Sequence, residues 1–299
     1  MTYVFNHIIG QIILDQNSKI LDIISPQQTL PSKYSSLEPL PQNKLFLALA
    51  QIKDQKYYSQ FKQLNRLLNI KAMQQSVNED QLIIQGIANI NELDKLDNIL
   101  SKRLREWYSL HFPELGERIT DHEKYAKLLL EKTKAQLISE IKQTEESMGA
   151  ELSELHLAEI KLLAHQILSL YELRHKHEQY LETVLKQYAP NLQHLAGTTI
   201  AAKLIELGRS LKNLALLPAS TIQLLGAEKA LFRHIKTGSR SPKYGVIINH
   251  PLIQHAKRDE KGKASRSLAD KLALCARLDY FKGEFKASQY KQDLETKFK

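Results

Sequence analysis

The chain has 299 residues, 42% of them hydrophobic and 25% charged, which is typical of a folded protein with room for two or three hydrophobic cores. The net charge is +9 and its distribution is uneven. Of the 42 basic and 33 acidic residues, 17 and 8 lie between Gly226 and Lys299, so the preceding 225 residues are neutral. Basicity confined to one segment is typical of a site for a polyanion.

Several classes of protein are excluded by residue content. The single cysteine, Cys275, excludes an internal disulfide and a multi-cysteine metal site, and its apolar surroundings predict a buried thiol. No apolar run is long enough to span a bilayer and no signal peptide is recognised, so we expect an intracellular protein. His175 and His177 do not share a helix face, so no metal site is expected. Without a glycine-rich phosphate loop or a catalytic grouping, we expect neither a cofactor nor an enzyme.

A small α/β domain is predicted at the start of the chain. Residues 1–24 hold three β-prone stretches with a turn signal at Asp15–Ser18. Residues 25–43 hold four prolines and predict a loop, and helical spacing of leucines begins near Asn43. We place the end of this domain at residue 90.

Residues 91–190 predict long helices. Leucine spacing indicates a helix from residue 91 that ends at Pro113 and Gly116. A second helix is expected from Thr120, where Thr120 and Glu123 have the spacing of a capping box, and a third from Ser153.

The second and third helices predict an antiparallel coiled-coil arm. Apolar residues of the third helix alternate three and four apart, and Arg174 and His177 place polar groups in that seam. The apolar side chains of such a seam must be buried against another surface, so we expect homodimerisation. The predicted contact residues are Leu130, Leu137, Ile141, Ile160, Leu163, Ile167, Leu170 and Leu181.

The basic segment is expected to begin with a helix over residues 226–236. Lys229, Arg233 and Lys236 are spaced by four and three and therefore share one face, with Ala230, Leu231 and Ile235 turned to the core. The spacing alone also suits a solvated helix face. The following loop adds Arg240 and Lys243 among small hydroxyl residues that suit phosphate binding. A further cluster precedes the last long helix: Lys257, Arg258, Lys261, Lys263 and Arg266.

His250 follows an apolar run and admits two interpretations. It is either a histidine satisfied by local partners or one that stacks on an unpaired base of RNA.

The amino-acid sequence of several segments resembles the Nop domain, which occurs in the scaffold proteins of box C/D ribonucleoproteins and in a related spliceosomal factor. The similarity is carried by GAEKALFRHIKTG, SPKYGVIINH and KGKASRSLADKLALCARLD, and also by RLREWY, HFPEL, APNLQHLAG and ESMGAELSELHLAEI. It extends over residues 91–281 and is weak before them. Arg209 departs from the sequence pattern of the family, and the short polar tail from Lys282 suits an archaeal member.

The resemblance implies a mainly α protein with three parts. These are an α/β N-terminal domain that binds the methyltransferase fibrillarin (1–90), a dimerising helical and coiled-coil arm (91–190), and an all-helical Nop domain (191–299). The Nop domain would clamp kink-turn RNA together with its primary binding protein. The expected RNA contacts are Lys229, Arg233, His234, Lys236, Arg240, Lys243, His250, Lys263 and Arg266.

The expected function is therefore that of a non-catalytic scaffold for guided 2′-O-methylation of RNA. We expect it in the archaeal cytoplasm, or in the nucleolus of a eukaryote. The alternatives are a spliceosomal Nop-domain factor and a coiled-coil assembly protein without an RNA role.

Overall fold

The computed structural model describes residues 2–24, 37–53, 55–141 and 147–298. It divides into two compact units, Met1–Asn78 and Glu79–Lys299. Within the described residues, no helix has both the length and the apolar character that a membrane span requires.

The first unit is built on a four-stranded sheet in the order β3-β2-β1-β4. Its strands are β1 (Thr2–His7), β2 (Gly10–Leu14), β3 (Ile20–Ile24) and β4 (Leu37–Pro39), and only the β1–β4 pair is parallel. Asp15 accepts hydrogen bonds from the backbone amides of Asn17 and Lys19, at 2.9 and 2.7 Å, which forms the predicted turn. Most of the predicted proline loop, residues 25–36, lies outside the described residues.

Helices α1 (Gln42–Ile52) and α2 (Gln55–Ser76) complete this unit. Ala48 and Ile52 of α1 pack on Ile12 and Leu14 of β2, so alternate strand residues and one helix face form its small core. The predicted α/β organisation is confirmed.

The second unit begins with two long antiparallel helices, α3 (Glu79–Tyr108) and α7 (Glu154–Tyr188). Asn89 lies 3.0 Å from His177, and Asp94 lies 2.5 Å from Arg174, so residue numbers rise on one helix as they fall on the other. Residue 90, at which the sequence placed the end of the first domain, lies inside α3.

The long coiled-coil partner of α7 is thus α3, whereas the helix predicted from Thr120 packs only on the N-terminal half of α7. That segment forms two short helices, α5 (His122–Glu131) and α6 (Lys134–Glu140). Asp121, rather than Thr120, caps α5 by accepting from Lys124 N at 2.6 Å. Lys132 is extended, and Thr133 with Gln136 forms a new capping box that starts α6.

Most of the predicted dimer seam is therefore occupied within the single chain. Leu137, Ile160, Ile167 and Leu181 are fully buried, with no exposed side chain left for a second copy. Leu130, Ile141, Leu163 and Leu170 are half-buried. Short helix α4 (Pro113–Arg118) and α5 help to cover this end of the arm.

The remaining helices surround α14 (Lys261–Tyr280), whose Leu268, Leu272 and Cys275 are fully buried as predicted. Burial raises the pKa of the Cys275 thiol to about 12. Along the chain come α8 (Pro190–Ala196), α9 (Thr198–Gly208), α10 (Leu211–Leu216), α11 (Ala219–Leu224), α12 (Glu228–Thr237), a 3-10 helix (Val246–Asn249), α13 (Pro251–His255) and, after α14, α15 (Ala287–Phe298). The expectation of an all-helical C-terminal region is confirmed.

Candidate nucleic-acid interface

Helix α12 is fixed at its N-terminus by a close backbone contact. The amides of Gly245 and Val246 donate to the carbonyls of Gln223 and Leu225, each at 2.8 Å. A Cβ atom at Gly245 would lie only 1.8 Å from the Leu225 carbonyl oxygen, so glycine is required there. Gly245 and Val246 therefore fix the position of the residues that directly precede α12.

Helix α12 itself lies on the surface. It begins at Glu228 rather than Gly226, and Lys229, Arg233 and Lys236 are exposed, as the spacing predicted. The expectation that Ile235 faces the core was wrong, because its side chain is 73% exposed. Phe232 is 67% exposed, so α12 presents apolar side chains as well as cations to its surroundings.

The basic loop is folded back toward the start of α14. His234 Nδ1 contacts the Ser239 carbonyl oxygen, and Gln223 Nε2 donates to the Lys243 carbonyl oxygen at 2.6 Å. A Cβ atom at Gly262 would lie 3.8 Å from Cδ of Lys243. The loop thus brings the cations after α12 beside those of α14, although one nitrogen of His234 is committed to holding the loop.

Exposed cations follow one another on three pieces of chain, which are α12, the loop after it and the start of α14. We define the cationic surface as Lys229, Arg233, Lys236, Arg240, Lys243, Lys263 and Arg266, all of them exposed. Within the described residues, none of these seven side chains forms an ion pair, although cations on α7 such as Lys176 and Lys186 do, at 2.7 and 2.6 Å. The cationic surface therefore carries uncompensated positive charge.

The start of α14 strengthens this field. Its first turn contains Lys261 and Lys263 and no acidic residue, and the N-cap residue Glu260 makes no side-chain cap hydrogen bond. The partial positive charge of a helix N-terminus disfavours neighbouring cations, and a bound anion offsets that cost. Phosphates of a nucleic acid supply such anions.

His250 has partners inside the protein, as the first of its two interpretations expected, and its contact with RNA stays a prediction. Its Nδ1 accepts from the Leu252 amide at 3.2 Å, which caps α13, and its Nε2 lies 2.9 Å from the Leu195 carbonyl oxygen. Burial lowers the pKa of His250, which favours the neutral ring. The ring also lines a cavity of about 450 Å³ between α8, α13 and α15.

Among the residues that the structure describes, no three His, Cys, Asp or Glu side chains come together as a set of metal ligands. Sequence reasoning missed the loop-holding role of Gln223, since the partner carbonyl lies 20 residues away. It also did not predict that Phe232 is exposed, because the spacing argument concerned only the cations of α12 and its core-facing residues.

Comparison with known proteins identifies the family of the chain. Residues 89–299 match the family model described as "Nop: snoRNA binding domain, fibrillarin". A NOP5 family protein of Methanocaldococcus jannaschii is 44% identical over 234 residues, covering 73% of this chain and 56% of that protein. Nucleolar protein 58 of Schizosaccharomyces pombe is 44% identical over 215 residues, covering 67% and 42%.

Two further matches were found. Nucleolar protein 56 of Caenorhabditis elegans is 38% identical over 245 residues, covering 72% of this chain and 50% of that protein. A chain in a solved fibrillarin/Nop5p complex is 25% identical and covers 98% of both chains, with a loose superposition of TM-score 0.47. The chain spans about half the length of the curated relatives that it matches. By the family model, which matches more than half of its residues, the chain belongs to the Nop family.

Proposed function

We propose that this chain is the scaffold subunit of a box C/D guide ribonucleoprotein. It binds kink-turn RNA together with a primary binding protein and recruits fibrillarin for guided 2′-O-methylation. The observation that carries the proposal is the cationic surface, whose seven exposed side chains lie on α12, the following loop and α14 without ion-pair partners in the described residues, with Lys243 of the loop beside the start of α14. Membership of the Nop family supports the same function.

Helix α12 suits a ligand made of RNA and protein together. Its cations can neutralise phosphates, while exposed Phe232 and Ile235 offer apolar contacts that a phosphate backbone does not need. A protein already bound to the RNA supplies the apolar counterpart. This combination favours recognition of the kink-turn and its primary binding protein as one surface.

The first unit is proposed to bind fibrillarin. On α1, Phe46 is 79% exposed and Leu47 is 55% exposed, next to each other on a helix whose opposite face forms the core. Such apolar exposure is typical of a protein-binding surface. The chain itself then needs no catalytic group, and it should transfer no methyl groups from S-adenosylmethionine when fibrillarin is absent.

A second copy is proposed to bind at the outer face of the arm. Leu155, Leu162, Leu173 and Tyr180 lie on one side of α7 and are 77%, 55%, 41% and 43% exposed. This stripe replaces the buried seam as the candidate dimer contact. We also propose that the protein is found where its RNA is, in the archaeal cytoplasm or in the nucleolus of a eukaryote.

A gel-shift series tests RNA binding. We expect the Lys229→Ala, Arg233→Ala double variant to bind kink-turn RNA with its primary protein at least about tenfold more weakly, equivalent to about 1.4 kcal/mol. Lys176→Ala, Lys186→Ala is the matched control, since it removes two exposed lysines that are paired on α7. Equal affinities of the two double variants would refute the assignment of the cationic surface.

A pull-down tests the fibrillarin proposal and separates it from the spliceosomal alternative. Wild type should retain fibrillarin, and Phe46→Ser, Leu47→Ser should lose it because the apolar contact is removed. Lys62→Ala, at an exposed polar position of α2, is the control. If wild type retains no fibrillarin yet binds kink-turn RNA, the box C/D assignment is wrong and the spliceosomal alternative is favoured.

A further inference from the structure

The face of α3 that meets α7 changes character in the middle of the arm. Residues on this face are spaced alternately by four and three, as in a heptad seam. Apolar Ile90 and Leu104 flank three successive polar positions, Asp94, Asp97 and Ser101. Asp97 and Ser101 are each only 2% exposed. A run of three polar residues inside a buried seam is costly and calls for an explanation.

Helix α7 shows the matching change. Apolar Ile167 and Leu181 flank three successive seam positions, Tyr171, Arg174 and Glu178. The two polar runs lie at the same level of the antiparallel pair. Arg174 Nε lies 2.5 Å from Asp94, and Arg174 also pairs with Glu178 at 3.0 Å. Together the six side chains form what we call the polar segment of the arm.

The polar segment separates two hydrophobic cores. On one side, Ile90 and Leu181 belong to the core shared with the C-terminal helices. On the other side, Leu104 and Ile167 belong to the core shared with α5. The two cores therefore hold the ends of the α3–α7 pair, and between them the apolar side chains close to the seam are buried Leu93 and half-buried Tyr171, of which Tyr171 packs against the second core.

Asp97 is the buried carboxylate of this middle section. Both of its carboxylate oxygens are buried and have no hydrogen-bond partner among the described residues. The charged and titratable groups that act on it are Asp94 on its own helix and Tyr171 and Arg174 on α7, and Arg174 is shared with Glu178. Burial, and then the charge of Asp94, raise the pKa of Asp97, while Arg174 opposes the shift.

We propose that the polar segment is a proton-sensitive hinge at which the arm opens locally between its two cores. With Asp97 neutral, the α3–α7 pair is closed. When Asp97 ionises, an uncompensated buried charge favours opening of the segment to water, while both cores stay packed. The inference concerns the arm alone and does not depend on the proposed RNA-binding function.

The sign of the pH dependence follows from the raised pKa. Below the ordinary pKa of an aspartate, about 4, the group is protonated whether the segment is open or closed, and no penalty exists. The penalty on the closed segment grows as the pH rises from there to the raised pKa, and it is complete above that value. Opening is therefore favoured at the higher pH.

Hydrogen exchange of the full chain tests the hinge. After correction for the intrinsic effect of pH, the opening equilibrium of residues 94–101 and 171–178 should rise with pH between the ordinary and the raised pKa of Asp97 and level off above it, with a slope of at most about tenfold per pH unit. Asp97→Asn, which keeps the shape, should abolish this rise. Glu92→Gln, at an exposed position of α3, should preserve it.

A second variant, Asp97→Leu, shows whether the exchange rates report the charge of Asp97 rather than damage to the fold. Asp97→Leu continues the apolar seam, and we expect at least about tenfold slower exchange in the polar segment at high pH. Wild-type exchange that is independent of pH in this segment would overturn the proposal. So would a pH dependence that Asp97→Asn retains, or opening that always includes both flanking cores.

Discussion

His250 uses both of its ring nitrogens inside the protein, one on the α13 amide of Leu252 and one on the carbonyl of Leu195. We therefore expect His250→Phe to lower the free energy of unfolding by about 1–3 kcal/mol, because it leaves buried polar groups unpaired. RNA affinity of the folded protein should change little. Thermal unfolding and a gel shift check both points, with exposed His165→Phe as the control.

The same residue has a pH signature. Because its folded-state pKa is lowered, the unfolded chain binds the proton more readily, and stability should be lost as the pH falls below about 6.5. This loss should be smaller in His250→Phe. A variant that keeps wild-type stability at every pH but binds RNA tenfold more weakly would show instead that His250 is an RNA contact.

Single residues differ in how far their roles were predictable. Spacing alone predicted that Lys229, Arg233 and Lys236 share an exposed face, since three and four residues nearly complete a helical turn. Spacing left His250 undecided, because the carbonyl that it contacts lies 55 residues earlier. A partner so distant in sequence is visible only after the chain has folded.

At the scale of elements, the start of α12 is held by the close contact between Gly245 and the Leu225 carbonyl. Gly245→Ala places a methyl group against the Leu225 carbonyl, so one of the two backbones must move and α12 loses its fixed start. We expect weaker binding of kink-turn RNA with near-complete retention of helix content. Gly197→Ala has open space for its methyl group, but its positive φ of 80° makes it a poor control.

Gly116→Ala is the better control, since nothing lies within 4 Å of the added methyl group. Circular dichroism and a gel shift measure both variants. Wild-type RNA affinity in Gly245→Ala would contradict the role given to this contact.

Periodicity predicted where most helices lie but not how they pair. The stripes of α7 and α14 were long and regular, and both helices are present. The long partner of α7 was not predicted because the segment from Thr120 and the segment before Pro113 both carry suitable apolar spacing. The break at Lys132 and the cap at Thr133 shorten the first of these, and α3 supplies the longer face.

On the scale of the whole molecule, the arm is expected to join two copies. Leu155→Lys, Leu162→Lys should convert a dimer to a monomer in light scattering, because two charges on the exposed stripe of α7 oppose its burial. Leu67→Lys, at an exposed leucine of α2, is the control. A wild-type chain that is monomeric at high concentration would contradict the dimer proposal.

The charge distribution is the most general property of the molecule, and the sequence alone showed it. Composition cannot show whether the cations are neutralised by carboxylates. The structure shows that, within the described residues, the cationic surface has no ion pairs, while cations on α7 have them. The central claim is therefore electrostatic and should appear in the response of binding to salt.

The most direct test is the salt dependence of binding to kink-turn RNA carrying its primary protein. The logarithm of the binding constant should fall linearly with the logarithm of salt concentration. The slope should become shallower by about 1.5 when Lys229 and Arg233 are both changed to alanine, since each phosphate contact contributes about 0.7–0.9. An unchanged slope in that variant would contradict the account.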